Sequence, residues 1–537
     1  MTRMTGGQAL VRSLYHEGVR VIFGLPGVQL YHAMDALYDE PGIRFITTRH
    51  EQATTYMADG YARASGRVGT AMVVPGPGLQ NASAGLGNAY SASSPVLLIA
   101  GQINRANIGK DVGILHELND QLDVIKPVTK WRARVLEPKE IPGVVQEAFH
   151  QLRTGRPRPV EIEMPPETLA QVDDLELYEP GKPLPTPGDD GAIKEAVKQL
   201  MRAQRPVIWA GGGVHSSEAW QELLQVAEFL QAPVITTAEG KGAIPENHYL
   251  SIGVTKGRST GQVRDALRLY FEDCDVTLAV GTRFASAESP KYQKVIQIDI
   301  DDEEVGRNHA NTLGIVGDAR LALVQLLEGL RKSGPARPSR KEECEALRSE
   351  RYDAANQPQP LGAFVSGIRE ALPDDSIIVS GMTQVGYHSR AYFPVLKPRT
   401  YITSSYYGNL GFAYPTALGA KVARPEVPVV ALCGDGGFLF NSQEMATAAQ
   451  FGINVVAVVF NDGAFGNVLR DQRTAFKGRV IGSELQNPDF MKLADAFGIK
   501  GMKAEGPEEL KAALKQAIGM DTPVLIEVPL GPMPAPF

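Results

Sequence analysis

Short apolar runs rich in Val, Ile and Ala alternate with segments of helical periodicity along most of the 537 residues. "VRVIFGLPG", residues 19–27, predicts a strand followed by a tight loop. "IRFITTRHEQATTYMADGYARASG", residues 43–66, predicts a strand and then a helix closed by Gly66. "VGTAMVVPGPG" and "PVLLIAGQ" predict two more strands. Proline and charge accumulate over "YEPGKPLPTPGDDG", residues 178–191, which reads as an extended linker. A second series of strand signals follows in "RPVIWAGGGV", "APVITTAEGKGA", "VTLAVGTRF" and "KVIQIDID". The charged segment of residues 331–360 separates it from a third series. Strands alternating with helices predict parallel sheets, so the expected fold class is α/β with three doubly wound parallel-sheet domains. Their expected bounds are residues 1–172, 190–330 and 358–537.

Composition narrows the function. A net charge of −7 without a basic run speaks against nucleic-acid binding. The three cysteines, Cys274, Cys344 and Cys433, are scattered and in no metal-ligand spacing, which fits a reducing, cytoplasmic setting. The first residues lack a continuous apolar run, so no secretory signal is expected, and no run is long enough to predict a membrane span.

Candidate chemistry concentrates in "VVALCGDGGFLFNSQEMATAAQFGINVVAVVFND", residues 429–462. Two apolar strands bracket a helical segment, and an acid ends each strand: Asp435, within Gly434-Asp435-Gly436-Gly437, and Asp462. Ligands of parallel α/β sheets sit at the carboxyl ends of strands. Glycines let backbone N–H groups approach an anion, and a helix start favours phosphate. An acid beside a phosphate is repulsive unless a hard cation such as Mg²⁺ lies between them. Turn glycines and turn acids are the plainer alternative. Asn441 and Glu444 stand in capping-box register for the following helix.

Gly-Asp-Gly with Asn461-Asp462 ending 27 residues beyond Asp435 resembles the thiamin diphosphate motif. "RHEQATTYMADGYARASGRVG" resembles the amino-terminal segment of acetolactate-synthase-like enzymes, and "SSYYGNLGFAYPTALGA" resembles their segment beneath the bent cofactor. The resemblance covers nearly the whole chain in the order pyrimidine-binding, central nucleotide-binding-like and diphosphate-binding domain. It implies thiamin diphosphate and Mg²⁺, with Asp435, Asp462 and the main-chain carbonyl of Ala464 as metal ligands. Asp462 departs from the Asn usual at its position. Gly434, Gly436, Gly437, Phe465 and Gly466 would complete that cofactor loop, and Thr383 and Gln384 would contact the diphosphate. Gly408 and Leu410 would bond the pyrimidine edge by their main chain, Leu410 also wedging the two rings together. Pro26, Gly27 and Asn81 lie in loops that face the cofactor ring from a partner subunit, and the resemblance places Glu51 and the metal site on different subunits, so a homodimer is the implied minimum and a homotetramer the expected form. Glu51 would share a proton with the aminopyrimidine and so activate the cofactor.

The resemblance implies decarboxylation of a 2-oxo acid, with the remaining fragment protonated or joined to an aldehyde or other carbonyl. "GILHELNDQLDVIKPVTKW" aligns with the loop facing that fragment. His116-Glu117 stands where acetolactate synthases show Phe-Gln, closer to the Tyr-Glu of oxalyl-CoA decarboxylases, so an acyl-CoA substrate or an aldehyde lyase stays in view. Both residues are candidate proton carriers, with surface polarity as the alternative. In the central domain, Gly211-Gly212-Gly213 is not a dinucleotide fingerprint. Acetolactate synthases carry FAD there, with an arginine placed like Arg283; related decarboxylases keep the domain empty or bind other nucleotides. A nicotinamide dehydrogenase or a non-catalytic relative would leave Glu51 and the paired acids unexplained.

Overall fold

The computed structural model describes residues 1–254, 266–285, 292–356, 358–531 and 533–535. Three six-stranded sheets carry the chain. The first has the order Arg44–Thr47, Val21–Gly24, Gly69–Val73, Val96–Gly101, Val160–Met164, Trp131–Arg134. The second runs Ser251–Val254, Val234–Thr236, Pro206–Ala210, Val276–Val280, Lys294–Asp299, Thr312–Val316. The third runs Tyr401–Thr403, Ile377–Ser380, Val429–Gly434, Val455–Asn461, Val524–Pro529, Lys500–Lys503. The strand pairs are parallel, and helices cover both faces. Strands buried on both sides read as near-continuous apolar runs, as Val96–Gly101 does and as Val276–Val280 does apart from Thr277. A small antiparallel pair, Thr2–Thr5 with Val172–Leu175, ties the chain start to the end of the first domain.

By internal packing the chain divides into two compact units. One comprises residues 1–183, 404–503 and 516–528, the other residues 184–403, 504–515 and 529–537. In the first unit, helix Glu51–Ser65 ends at Gly66 in the left-handed region with φ 75°, as the sequence predicts. Helix Ala413–Ala423 packs against it at very short range. A Cβ on Gly60 would fall 2.0 Å from the Thr416 carbonyl oxygen, and one on Gly419 would fall 1.9 Å from that of Met57. Only glycine permits this approach, which locks the thiamin-motif half of the unit to the amino-terminal sheet.

Residues 178–189 form no helix or strand; helix Asp190–Arg202 follows them in the second unit. The charged segment 331–360 is more than a spacer. Its residues Lys341–Asn356 form a helix whose Arg351 is buried, donating from Nη1 to the Ile252 carbonyl at 2.5 Å and from Nη2 to that of Val254 at 3.1 Å. Arg337 likewise caps the end of helix Asp190–Arg202 through the carbonyls of Leu200 and Ala203. Charge on a sequence thus marked carbonyl-satisfying arginines as well as solvated surface. No helix among the described residues is long and apolar enough to cross a membrane.

Candidate functional site

The strand Val429–Gly434 pairs in parallel with Val455–Asn461, Gly434 opposite Phe460. Asp435 and Asp462 therefore leave adjacent strand ends. Burial, then the Asp435 charge and a hydrogen bond to Asp435, push the Asp462 carboxyl up to about 6. Two carboxylates facing each other this closely favour sharing a proton or a cation between them. Asn487, which the sequence reading missed, donates from Nδ2 to Asp435 Oδ2 at 2.6 Å and to Asn461 Oδ1 at 2.8 Å. Asn461 in turn donates to Glu527 at 2.8 Å. Among the described residues no three acidic, histidine or cysteine side chains converge as a metal cluster. The donor set at this point is two carboxylates with the nearby carbonyl of buried Ala464, held by its bridge to Glu484. Oxygen donors alone suit a hard divalent cation. Gly436 is closely packed: a Cβ there would stand 2.7 Å from the Phe465 ring, whereas one on Gly437 would meet only Gly411 N at an ordinary 3.8 Å. Gly434 precedes the short helix Asp435–Leu439 as its N-cap.

The capping box expected at Asn441 and Glu444 does not form. Helix Asp435–Leu439 begins earlier, and neither residue caps it. Asn441 instead donates from Nδ2 to the Gly411 carbonyl at 2.7 Å, beside Leu410. Buried Glu444 accepts the main-chain N–H groups of Arg49 and His50, each at 3.0 Å on Oε1. Tertiary donors outcompeted the local one because a buried carboxylate gains most from fixed N–H groups.

Glu51 opens helix Glu51–Ser65, and its Oε2 accepts Asn81 Nδ2 at 3.0 Å. Asn81 lies on helix Pro77–Ala92, entered through Gly76 at φ 61°. There a Cβ would meet the His116 carbonyl oxygen at 2.5 Å. The Gly76 N–H donates to Gln121 Oε1 at 2.9 Å, and Gln121 Nε2 donates to buried Glu163 at 2.7 Å. Gln121 and Glu163 were missed from the sequence, where an amide and an acid without a motif carry no signal. Pro26 and Gly27 form the loop after Val21–Gly24; a Cβ on Gly27 would strike Val74 at 2.2 Å. Glu51 and Asn81 are thus bonded directly, while Gly76, at the start of Asn81's helix, packs on the His116 main chain.

His116 and Glu117 part company. His116 sits at φ 69° and its Nδ1 donates to Gln29 Oε1 at 3.1 Å. Glu117 accepts the N–H groups of Val112, Gly113 and Ile114 at 3.2, 2.6 and 3.1 Å. Slight desolvation would raise its pKa, but those N–H groups outweigh it and hold the carboxyl below its ordinary value. Its carboxylate closes its own loop. Gly408 and Gly411 take φ 65° and 82°, so the half-buried Leu410 rides on a turn that needs glycine on either side. Phe465 donates its N–H to the Ser483 carbonyl at 2.8 Å, and Gly466 begins helix Gly466–Thr474.

Thr383 and Gln384 belong to the second unit, where Thr383 precedes helix Gln384–Tyr392 and Gln384 is buried. In its central sheet the Gly211–Gly213 run packs on the loop after Val276–Val280: Gly213 donates to the Gly281 carbonyl at 2.9 Å, and a Cβ there would lie 2.5 Å from Gly281 Cα. Arg283 pairs with Glu304 at 3.5 Å. The three cysteines are buried and unbonded to one another.

Comparison with known proteins gives three matches in chain order. Residues 4–125 match the thiamine pyrophosphate enzyme N-terminal TPP binding domain, 193–326 the central domain, and 381–528 the C-terminal TPP binding domain. The chain is 37% identical to the probable acetolactate synthase large subunit of Methanocaldococcus jannaschii, over 99% of this chain and 93% of that protein. It is 33% identical to the acetolactate synthase isozyme 3 large subunit of Escherichia coli, over 96% and 93%. It is 35% identical to the probable 2-ketoarginine decarboxylase of Pseudomonas aeruginosa, over 98% and 94%.

Proposed function

The chain belongs to the thiamine pyrophosphate enzyme family, and from that premise we propose that it decarboxylates a 2-oxo acid and then protonates the fragment or joins it to a second carbonyl, in the manner of an acetolactate synthase. The carrying observation is the pair of facing acids, Asp435 and Asp462, at neighbouring strand ends behind a glycine-bounded turn. Asp435, Asp462 and the Ala464 carbonyl would hold Mg²⁺, and Gly434, Gly436, Gly437, Phe465 and Gly466 would shape the loop around the diphosphate. Thiamin diphosphate supplies an electron sink for carbon–carbon bond cleavage when bound. Glu51 would hold a proton against the aminopyrimidine, oriented by Asn81. His116, its Nδ1 3.1 Å from Gln29 Oε1, would serve the fragment's protonation.

A simple decarboxylase is the second reading, supported by the 2-ketoarginine decarboxylase relative and by His116-Glu117 in place of Phe-Gln. An oxalyl-CoA-type substrate belongs to the same reading. The family resemblance also supports a homodimer or homotetramer, and the three unpaired cysteines a cytoplasmic setting. FAD is a separate question: the glycine run of the central sheet is accounted for by packing, so FAD rests on the acetolactate-synthase likeness alone. Mass spectrometry of ligands released from purified protein, followed by a panel of 2-oxo acids and acyl-CoA esters assayed for CO₂, tests the proposal. Thiamin diphosphate release and CO₂ from at least one oxo acid are expected. Absence of binding to added thiamin diphosphate with Mg²⁺ would overturn it.

A further inference from the structure

The residues on either side of Glu51 are tied to one short segment, 440–450, that directly follows the acid-bearing turn. Before Glu51, the N–H groups of Arg49 and His50 both reach Glu444 Oε1 at 3.0 Å, and Arg49 N–H also reaches Oε2 at 3.1 Å. Arg49 Nη2 donates to Gln450 Oε1 at 2.6 Å. After Glu51, Gln52 Nε2 donates to the Phe440 carbonyl at 3.1 Å. Thr447 Oγ1 donates to Glu444 Oε2 at 2.7 Å and lies 3.3 Å from the Thr47 carbonyl oxygen. Glu51 itself takes no part in this seam; its carboxylate goes to Asn81.

Helix starts are ordinarily satisfied by a local side chain, and here His50 Nδ1 already accepts the Gln52 N–H. Glu444 does something else. It is fully buried; Oε1 accepts the two N–H groups that precede the helix, and Oε2 accepts the Arg49 N–H and the Thr447 hydroxyl. A charged acceptor on two consecutive N–H groups fixes the peptide planes leading into Glu51, and with them its Cα–Cβ direction. We propose that Glu444 is a positioning residue for Glu51, anchoring the entry to helix Glu51–Ser65 so that the Glu51 carboxylate is presented in one orientation. The proposal rests on the proton-holding role given to Glu51 above. It makes Glu51 and the Asp435 turn of one chain a single mechanical piece, since Glu444 follows that turn in sequence.

The test is Glu444→Gln, whose amide keeps the shape but offers only one acceptor oxygen. In the cofactor-free protein, amide hydrogen exchange across residues 47–52 should quicken at least about tenfold, the effect of losing a charge-assisted bond. In the loaded protein, thiamin diphosphate affinity should stay within about twofold while hydrogen–deuterium exchange at its C2 slows about tenfold or more. Unchanged amide exchange at Arg49 and His50, or C2 exchange at the wild-type rate, overturns the proposal. Should that variant not fold, Thr447→Val removes only the hydroxyl on Oε2 and should produce both changes in smaller degree; no change in either would be equally fatal. Glu51→Gln separates the two ideas. It should slow C2 exchange without altering the amides of residues 49 and 50, and wild-type C2 exchange in that variant would instead sink the role given to Glu51.

Discussion

Two glycine-rich strand ends in this chain look alike in sequence and do opposite things. After Pro206–Ala210, the Gly211–Gly213 run lets one loop lie backbone to backbone on Gly281, and the nearby acid Glu304 is answered by Arg283 and Arg307. After Val429–Gly434, the Gly434–Gly437 turn leaves Asp435 against Asp462, with the Asn487 amide on Asp435 and, among the described residues, no basic side chain paired with either acid. Glycine at a strand end therefore marks close approach, of protein or of ligand. What distinguishes the second case is acidic charge without a basic partner among the described residues, the condition that the proposed cation site needs.

The sharpest way to break this contrast is Asp435→Ala. It should abolish retention of thiamin diphosphate after desalting, because metal and diphosphate neutralise each other; undiminished affinity by calorimetry would remove the metal assignment. Next in size is a pH effect. Asp462, lifted to about 6 from its ordinary 3.8, binds its proton more tightly in the metal-free folded chain than in the unfolded one. Its contribution to metal-free stability is thus present at low pH and is lost as pH rises through about 6. Mg²⁺ must displace that proton, so its affinity should be level above about pH 6 and fall about tenfold per unit below it. A flat titration series from pH 5 to 8 would place the cation elsewhere.

Gly213→Ala probes the other strand end. A methyl 2.5 Å from Gly281 Cα forces the loops apart. Thermal unfolding should register a loss of about 1–3 kcal/mol, while thiamin diphosphate retention stays at the wild-type level. Loss of cofactor with no change in stability would erase the distinction drawn here. The smallest effect on the cofactor site itself is expected at His116→Phe, which should shift the ratio of aldehyde to acyloin product and leave C2 exchange alone. Glu117→Gln should act through its loop: protease cleavage within residues 111–117 should rise, because three N–H groups lose their carboxylate.

Much was legible from residue order. Apolar runs of five to seven residues, as at Val96–Gly101 and Val455–Asn461, can be nothing but doubly covered strands when helices alternate with them. Gly66 closing a helix, and two acids spaced by one strand–helix–strand unit, are local or near-local patterns, and periodicity carries them. The pairing of Asp435 with Asp462 followed from parallel adjacency alone. The fate of Asn441 and Glu444 did not. Their spacing suits a capping box, and only the approach of residues 47–52 and of Gly411 supplied stronger partners. Gln121, Glu163 and Asn487 were likewise silent in sequence, since a buried amide or acid acquires its meaning from donors tens of residues away. Glu117 looked equal to His116 as a proton carrier until the loop folded its own N–H groups onto it. Hydrophobic period and turn chemistry are short-range properties, so the sequence by itself determined the elements, their order and the two acids at neighbouring strand ends. Which carboxylate meets which N–H group depends on packing between distant segments, and that only the tertiary structure decided.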